Sequence, residues 1–429
     1  MSIVRKEKFI FVETAENHNK FWYIEEHDTG LIKTTWGRVG NKETTAEKQF
    51  GSNASKEYDK LVKSKMKKGY TKLNTVDSTV ALNKKGGLTN QSLETIALEE
   101  INYDKSNNTI VNMIKHFCNS NIHDITAHTA ITFNTATNMF QTPCGVVTLD
   151  SINNARNILN KIYDYIIIHD FCNDYVKQTE EYCKLIPQKI RGKFEPRKLF
   201  NNKWDVENQN NLLDSLENSI KLIEDLNKNT DNKVKLFNTS IVECTDAEVI
   251  EKITKKYQKT HQNIHACRNL KVKRVFEIKI DKMDNEYNKL RASWISEKKR
   301  KNTKQLWHGT KSTNIISILK NGFVIPPANA SHCVGRMYGS DGIYLSDQST
   351  KSLNYAYGWW GGSTRDTNCY MFLCDAMLGN AYTPTGACKS IPTGYNSIFA
   401  KAGYSGVQNN EMVVPLNQVN PRYLIEFAE

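Results

Sequence analysis

The chain has 429 residues, enough for two or three domains at roughly 100–200 residues each. Its formal net charge of +12 favours a polyanionic partner such as nucleic acid, although charge alone is not specific. Ten cysteines occur without Cys-x-x-Cys pairs, and apolar runs such as Ile166-Ile167-Ile168 are far too short to span a bilayer. Composition therefore argues against a zinc finger, a disulfide-built fold and a membrane protein, and predicts a soluble, unsecreted chain with reduced thiols.

Residues 1–80 have the pattern of a small β-rich domain. Three short runs are strand-like, at residues 9–12, 21–25 and 31–35. Asp28-Thr29-Gly30 predicts a turn before the third strand, and Trp36-Gly37-Arg38 follows it. Residues 55–72 then begin as an amphipathic helix and end basic, and seven lysines outnumber two acids over the whole segment. Such a stretch is either a solvated face or a surface that contacts phosphates.

Residues 75–90 indicate a linker, and residues 91–228 show helical periodicity. Apolar residues form two stripes at helical spacing, namely Ile152, Ala155, Ile158, Leu159, Ile162 and Ile166, then Leu212, Leu213, Leu216, Ile220 and Ile223. Thr148 precedes the first stripe and is the predicted N-cap of its helix. These stripes predict helices that pack through a shared apolar core.

Residues 229–429 contain the motifs that carry chemistry. Residues 272–280 alternate as a strand. Four short motifs follow in order: Trp307-His308-Gly309, Gly342-Ile343-Tyr344, Lys351-Ser352-Leu353-Asn354-Tyr355 and Asn410-Glu411-Met412. Upstream, His261 and His265 only superficially have the spacing of metal ligands. Because a third ligand is missing nearby, they are predicted to be structural, and no metal is expected.

These motifs resemble the catalytic domain of the poly(ADP-ribose) polymerase (PARP) family, whose signature is a His-Gly pair, a Gly-Ile-Tyr strand and a Lys-Ser-x-Asn-Tyr helix start. The Trp36-Gly37-Arg38 segment is similar to the WGR domain of the members that sense DNA breaks. The resemblance implies a multidomain α+β fold. Its parts would be a small β-rich WGR domain in residues 1–80, an all-α helical regulatory domain in residues 91–228, and a mixed α/β ADP-ribosyltransferase domain with a β-rich NAD cleft in residues 229–429.

The resemblance also implies a catalytic triad of His308, Tyr344 and Glu411, with NAD as the substrate. Transfer of ADP-ribose breaks the glycosidic bond to nicotinamide through a cationic, oxocarbenium-like ribose, and such a state needs a carboxylate close by. Glu411 would accept a hydrogen bond from the 2′-hydroxyl of the nicotinamide ribose and stabilise the developing positive charge. Members with Glu at this position commonly form polymers.

The resemblance assigns NAD contacts to five residues. Gly309 would bind the nicotinamide carboxamide through its backbone, with the Ser352 hydroxyl as a further partner. Tyr344 and Tyr355 would sandwich the nicotinamide ring. His308 would hydrogen-bond the adenosine ribose.

The resemblance further implies contacts with broken or nicked DNA, through Trp36, Arg38, Lys67, Lys68 and Tyr70. Binding would follow the structure of the DNA end, since no base-reading element is evident. The helical domain would cover the NAD cleft until DNA loosens it, and Asp214 lies where the family places a carboxylate on the helix that faces the cleft. The chain would then be nuclear in a eukaryote, and otherwise located in the cytoplasm or wherever cellular DNA is handled.

Protein acceptors, including the chain itself, are the expected targets, and no membrane partner is expected. Two alternatives remain open at the level of sequence. The first is a mono-ADP-ribosyltransferase that retains the Glu but whose acceptor side cannot elongate. The segment between Ser397 and Glu411, which borders the acceptor site in the family, is short and leaves chain length, branching and target choice open. The second is a scaffold that binds DNA ends and has lost turnover. The intact triad argues against the scaffold.

Overall fold

A computed structural model describes residues 2–73, 93–134, 139–142, 145–190, 192–228, 235–296, 302–325, 337–339, 342–359 and 365–429. The predicted linker at residues 75–90 lies outside these ranges. The chain divides into two compact units. Unit 1 consists of Met1–Asn90 with Ile122–Thr230, and unit 2 consists of Gln91–Asn121 with Asp231–Glu429.

Unit 1 begins with an antiparallel sheet of strand order β4-β3-β2-β1-β5. Its elements are β1 (Ile3–Glu13), β2 (His18–His27), β3 (Leu31–Arg38), β4 (Thr44–Gln49), α1 (Ala54–Lys67) and β5 (Thr71–Lys72). Tyr58 of α1 packs against Phe9, Trp22 and Ile24 of the sheet. Gly30 has φ +75° in the turn between β2 and β3, a conformation that favours glycine. The predicted strands, turn and helix of this region are confirmed.

The helical part of unit 1 also contains a small sheet. The chain continues with α2 (Leu93–Glu100), α3 (Asn108–His128), β6 (Thr132–Asn134), β7 (Met139–Thr142), β8 (Gly145–Val146), α4 (Leu149–Ile167), α5 (Asn173–Leu185), α6 (Pro196–Leu199) and α7 (Lys203–Lys228). Strands β6, β7 and β8 pair antiparallel in that order. The all-α prediction for residues 91–228 was therefore wrong in this respect. Strands of two to four residues are too short to show alternation.

Helix α4 begins where the sequence predicts. The Thr148 hydroxyl accepts a hydrogen bond from the Ser151 backbone N–H at 3.2 Å, which satisfies one of the free N–H groups of the first turn. The predicted stripe on α4 lies in the core of unit 1, with the side chains of Ile152, Leu159 and Ile162 fully buried. A charged residue, Arg156, is buried on the same helix.

Arg156 is fully buried between helices α4 and α7. Its Nη2 lies 2.6 Å from Asp214 Oδ1 and 2.9 Å from Glu217 Oε2, both on α7. A buried guanidinium is costly unless it is paired, so these two carboxylates make its burial possible. The ion pairs therefore join the two helices by charge in addition to apolar packing.

Unit 2 contains two sheets. Its elements after residue 235 are β9 (Thr239–Glu243), α8 (Ala247–Lys259), β10 (Lys271–Ile280), α9 (Asp281–Ser296), β11 (Thr303–Gly309), α10 (Ser312–Asn321), β12 (Ile343–Leu345), α11 (Ser349–Tyr357), β13 (Cys369–Met377), β14 (Ala381–Tyr382), β15 (Ser397–Ala400), β16 (Glu411–Val414) and β17 (Val419–Ala428). The larger sheet has the order β11-β13-β17-β10-β9 and the smaller has β12-β16-β15-β14. The predicted strand at residues 272–280 corresponds to β10.

Residues 91–121, which the sequence grouped with the helical segment, belong to unit 2. Helix α2 and the first part of α3 bury apolar side chains there, and the ring of Phe117 packs edge-on against Tyr370 of β13, with centroids 4.8 Å apart. The Glu100 carboxylate accepts hydrogen bonds from the backbone N–H groups of Leu236 and Phe237. This first helical portion is thus part of the structure that surrounds the transferase motifs.

The two upstream histidines have protein partners. His265 Nδ1 lies 2.8 Å from Thr350 Oγ1, and His261 Nε2 lies 2.8 Å from the carbonyl oxygen of Arg268. Over the described ranges, no group of three or more His, Cys, Asp or Glu side chains is arranged to hold a metal ion. In the same part of the chain, no helix is long and apolar enough to cross a membrane.

Substitution of Gly309 by alanine tests the close approach of β11 to α11. A Cβ at this position would overlap the carbonyl oxygen of Ser352, and backbone cannot move aside as a flexible side chain can. We expect Gly309→Ala to destabilise unit 2 by about 3 kcal/mol or more, as seen for severe overpacking. Gly386→Ala is the matched control, because a Cβ there meets no atom within 4 Å. Thermal unfolding of both variants measures the difference, and equal stability would contradict the predicted packing.

Candidate active site

The three predicted triad residues lie on three strands of unit 2 that are joined by backbone hydrogen bonds. His308 is on β11, Tyr344 is at the centre of β12, and Glu411 begins β16. Strands β12 and β16 pair antiparallel, with Tyr344 opposite Val413. The backbones of Trp307 and Ser346 exchange two hydrogen bonds of 2.8 and 2.9 Å, which joins β11 to the end of β12. The structure therefore brings the three segments together.

His308 is held as a neutral imidazole with a defined tautomer. Its Nδ1 lies 2.9 Å from the carbonyl oxygen of Tyr344. A carbonyl only accepts, so Nδ1 carries the proton and Nε2 is left as a hydrogen-bond acceptor. Burial lowers the pKa of His308 because it disfavours the charged imidazolium. The side chain is therefore suited to accept a hydrogen bond from a hydroxyl group, such as that of a ribose.

The hydroxyl of Tyr344 fixes the orientation of its ring. It donates to the carbonyl oxygen of Gly339 at 2.9 Å and accepts from the backbone N–H of Tyr338 at 3.0 Å. Both of its hydrogen-bonding directions are used by the chain that precedes β12. Ser340 and Asp341, which follow Gly339, lie outside the described residues. The ring of Tyr344 is thus held by backbone at a defined angle.

Ser352 and Gly309 meet where β11 approaches α11. The Ser352 hydroxyl donates to the carbonyl oxygen of Trp307 at 3.1 Å, so its lone pairs remain available to accept from an amide N–H. Gly309 was predicted as the residue whose backbone binds the nicotinamide carboxamide. The structure adds a reason for glycine at this position, because a side chain there would collide with Ser352. Tyr355 lies one turn further along α11.

Glu411 forms a buried ion pair that the sequence analysis missed. The Lys351 ammonium on α11 contacts Glu411 Oε1, and the two residues are only 9% and 6% exposed. Lys351 was recognised as part of a motif but was assigned no role. A signal was present, since acidic residues are almost never buried without a partner and an acid at the head of an apolar strand therefore needs a cation. Lys351 thus explains how a carboxylate can be buried at this site.

Asp214, the predicted regulatory carboxylate, lies within unit 1 on α7. It contacts the buried guanidinium of Arg156, as described above. This contact assigns Asp214 a part in the packing of α4 against α7. A regulatory role for Asp214 stays a prediction.

The predicted DNA-binding residues are spread over the sheet of unit 1 and the end of α1. Trp36 on β3 is 37% exposed, and Lys67 and Lys68 at the end of α1 are exposed. Tyr70 is partly buried, with its ring 5.3 Å from the Phe11 ring. Trp36 and the two lysines are therefore accessible to a partner, whereas Tyr70 is largely part of the domain packing.

Arg38 is engaged inside unit 1. Its guanidinium donates to the carbonyl oxygen and to Oδ1 of Asn17, both at 2.9 Å, and to the carbonyl oxygen of Gly192 at 3.0 Å. Asn17 belongs to the turn between β1 and β2, and Gly192 belongs to the connection between α5 and α6. Arg38 therefore joins the sheet of unit 1 to its helical part. Its predicted contact with DNA stays a prediction.

Comparison with known proteins identifies two regions of the chain. The family model described as the poly(ADP-ribose) polymerase catalytic domain matches residues 247–426, and that of the WGR domain matches residues 6–76. A protein of Invertebrate iridescent virus 6 described as "Putative poly [ADP-ribose] polymerase-like 100L" is 32% identical over 151 residues, which cover 33% of this chain and 76% of that protein.

Two longer relatives match across more of the chain. Poly [ADP-ribose] polymerase 1 of Gallus gallus is 29% identical over 268 residues, which cover 60% of this chain and 25% of that protein. Poly [ADP-ribose] polymerase 2-B of Oryza sativa subsp. japonica is 25% identical over 438 residues, which cover 94% of this chain and 64% of that protein. The chain thus spans about a quarter of the first protein and about two thirds of the second.

The matched regions coincide with the β-rich part of unit 1 and with the sheets that position His308, Tyr344 and Glu411. The chain therefore belongs to the poly(ADP-ribose) polymerase family, with a WGR domain in residues 6–76 and an NAD-dependent ADP-ribosyltransferase domain in residues 247–426.

Proposed function

We propose that this chain is a poly-ADP-ribosyltransferase that DNA breaks activate, and that it modifies proteins, itself included, with release of nicotinamide. The observation that carries the proposal is the buried carboxylate of Glu411, paired with Lys351 and connected through the backbone to His308 and Tyr344. A preorganised charge of this kind stabilises a cation that forms only during the reaction. We infer a nuclear location if the source is a eukaryote.

The cleft residues suggest how NAD would be bound. Nε2 of His308 accepts a hydrogen bond from a hydroxyl of the adenosine ribose. The Ser352 hydroxyl accepts a hydrogen bond from an N–H of the nicotinamide carboxamide, and the Gly309 backbone binds the same carboxamide. Tyr344 and Tyr355 flank the nicotinamide ring. Each assignment agrees with the donors and acceptors that internal hydrogen bonds leave available at His308 and Ser352.

The reaction then follows from the position of Glu411. The bond between ribose C1′ and the nicotinamide nitrogen breaks, and its electron pair leaves with nicotinamide. Glu411 accepts from the ribose 2′-hydroxyl and stabilises the oxocarbenium-like ribose. An acceptor oxygen forms the new bond to C1′ and releases its proton. During elongation the same carboxylate orients the hydroxyl of the previous unit.

Activation by DNA rests on unit 1. The WGR domain is a nucleic-acid-binding module, and here it presents the exposed side chains of Trp36, Lys67 and Lys68. Arg38 links this domain to the helical part of the same unit. We infer that broken or nicked DNA binds the WGR domain and that the helical segment restrains NAD turnover until DNA binds. DNA would then act by preferring the unrestrained state.

Replacement of Glu411 by glutamine tests the catalytic assignment. Glu411→Gln keeps the shape of the side chain and removes its charge, so we expect NAD binding to persist while transfer falls about 100-fold to 1000-fold. Labelled NAD and a denaturing gel distinguish polymer from single transfer. Glu277→Gln is the matched control, since Glu277 is exposed on β10.

Polymer formed at the wild-type rate by Glu411→Gln would refute the assignment. A single labelled band from the wild-type chain would support mono-transfer, and no label would support the scaffold.

Removal of two lysines tests the DNA surface. We expect the double variant Lys67→Ala, Lys68→Ala to bind nicked DNA more weakly and to reduce the slope of log K against log salt by about 2, because each lysine neutralises one phosphate. Turnover without DNA should not change. Lys255→Ala with Lys259→Ala, at exposed positions of α8, is the control for lost net charge. Equal slopes of log K against log salt for both double variants would show that Lys67 and Lys68 do not contact the DNA phosphates.

Loosening the helices tests the restraint in the whole chain. Deletion of residues 91–228 is unsuitable, because residues 91–121 are part of unit 2. Arg156→Met leaves two carboxylates without their buried cation and should destabilise the α4–α7 packing by about 3–5 kcal/mol. If the helical segment restrains turnover, NAD consumption without DNA should rise. Each tenfold rise in rate corresponds to a shift of about 1.4 kcal/mol in the equilibrium between the restrained and unrestrained states.

The control for this variant is Lys177→Ala, which removes an exposed ion pair to Asp174. Hydrogen exchange of α4 and α7 verifies that Arg156→Met loosened the helices. Faster exchange with unchanged DNA-free turnover would show that the helical segment acts as a spacer.

A further inference from the structure

Three chain segments that carry the triad meet at one serine. The backbone of Ser346 exchanges hydrogen bonds with Trp307, the residue before His308. Its hydroxyl donates to the carbonyl oxygen of Asn410, the residue before Glu411, at 2.7 Å. It also accepts from the backbone N–H of Gln348 at 3.1 Å. Ser346 is fully buried, so these bonds are shielded from competition with water.

Asn410 uses its amide to join two further segments. Its Nδ2 donates to Asp347 Oδ2 at 3.1 Å, and its Oδ1 accepts from the backbone N–H of Ala402 at 2.9 Å. Ala402 lies in the chain that connects β15 to β16. Asn410 therefore contacts the end of β12, the β15–β16 connection and, through its own carbonyl, Ser346.

The Asp347 carboxylate receives a hydrogen bond from the Asn410 side chain. Its other oxygen, Oδ1, is buried and has no hydrogen-bond partner among the residues that the structure describes. Asp347 as a whole is partly buried, so the N–H of Asn410 offsets part of the desolvation cost of this carboxylate. An asparagine is suited to this position because it supplies a donor to Asp347 and an acceptor to Ala402 at once.

The position of the Asp347–Asn410 bond relates it to the ion pair. Asp347 lies four residues before Lys351 in the chain, and Asn410 lies directly before Glu411. The bond thus joins the two segments immediately before they supply the ammonium and the carboxylate of the buried pair. Any change in the separation of the segments would shift Glu411 relative to Lys351 and to a substrate ribose.

We propose that Ser346, Asp347 and Asn410 form a clamp that positions Glu411 for ADP-ribose transfer. Asn410 is a positioning residue in this clamp, since it acts through Glu411 and the β15–β16 connection. The inference rests on the proposed function, because it concerns the same reaction. Displacement of a reacting group by about 1 Å can cost about 100-fold in rate, which sets the size of the expected effect.

An exchange of the side chains of Asp347 and Asn410 tests the clamp in the full chain with nicked DNA present. Asn410→Asp opposes two carboxylates without a donor between them, so we expect kcat to fall about 100-fold while KM for NAD changes less than about threefold. Asp347→Asn retains an acceptor for Asn410 and should stay near wild type. The double variant Asp347→Asn, Asn410→Asp restores a donor facing an acceptor and keeps the acceptor for Ala402. We expect it to recover kcat to within about fivefold of wild type.

Thermal unfolding of all four proteins separates positioning from folding. Recovery of kcat in the double variant, with Asn410→Asp as stable as the others to within a few degrees, supports the clamp. A wild-type kcat for Asn410→Asp, or a double variant as slow as Asn410→Asp, overturns it. Should Asn410→Asp fail to fold, a slow but folded double variant still refutes the clamp and a fast one supports it. Loss of polymer formation in Glu411→Gln together with a wild-type kcat in Asn410→Asp would overturn the clamp alone. Polymer formation at the wild-type rate in Glu411→Gln would overturn the proposed function.

Discussion

The burial of one carboxylate governs the architecture of the transferase region. Glu411 begins an apolar strand and is almost completely shielded from water, a location in which an ionised acid is unfavourable without a partner. Lys351 supplies that partner from a helix on a different part of the chain. The helix packs against β11 and β13 of the larger sheet and extends the Lys351 side chain to the first residue of β16. Its close approach to β11 in turn requires glycine at position 309. The buried charge of Glu411 and the packing around it are therefore parts of one constraint.

Backbone hydrogen bonds supply the precision that the ion pair alone would lack. An ammonium on a flexible side chain is a point charge and defines no direction. Around it, His308 bonds the carbonyl of Tyr344, Tyr344 bonds the backbone at Gly339, and Ser346 bonds Trp307 and Asn410. These contacts determine which ring nitrogen of His308 accepts and how the ring of Tyr344 is turned. The site is thus organised before a substrate arrives, which is the condition for electrostatic stabilisation of a transition state.

Unit 1 uses part of its positive charge internally. The net charge of +12 suggested a nucleic-acid partner, but two of the arginines that contribute to it bind within the protein. Arg156 is buried against carboxylates of α7, and Arg38 holds a turn and the α5–α6 connection. The exposed lysines at the end of α1 are among the charges that remain available. Arginine suits the internal positions because its planar fork can make several directed bonds, whereas lysine is easily hydrated at a surface.

Sequence patterns predicted the local elements, and the resemblance to the family predicted the candidate reacting groups. Strands β1 to β3, helix α4 with its Thr148 cap, and the motifs around His308, Tyr344 and Glu411 follow from periodicity and from short motifs, which act over a few residues. Which distant residues become partners depends on the packing of the folded chain. Lys351 and Glu411 are 60 residues apart, Arg156 and Asp214 are 58 apart, and residues 91–121 belong to a unit that the sequence did not indicate. Such partners depend on how complete sheets and helices pack, and a local pattern carries no information about which distant charge will meet a buried one.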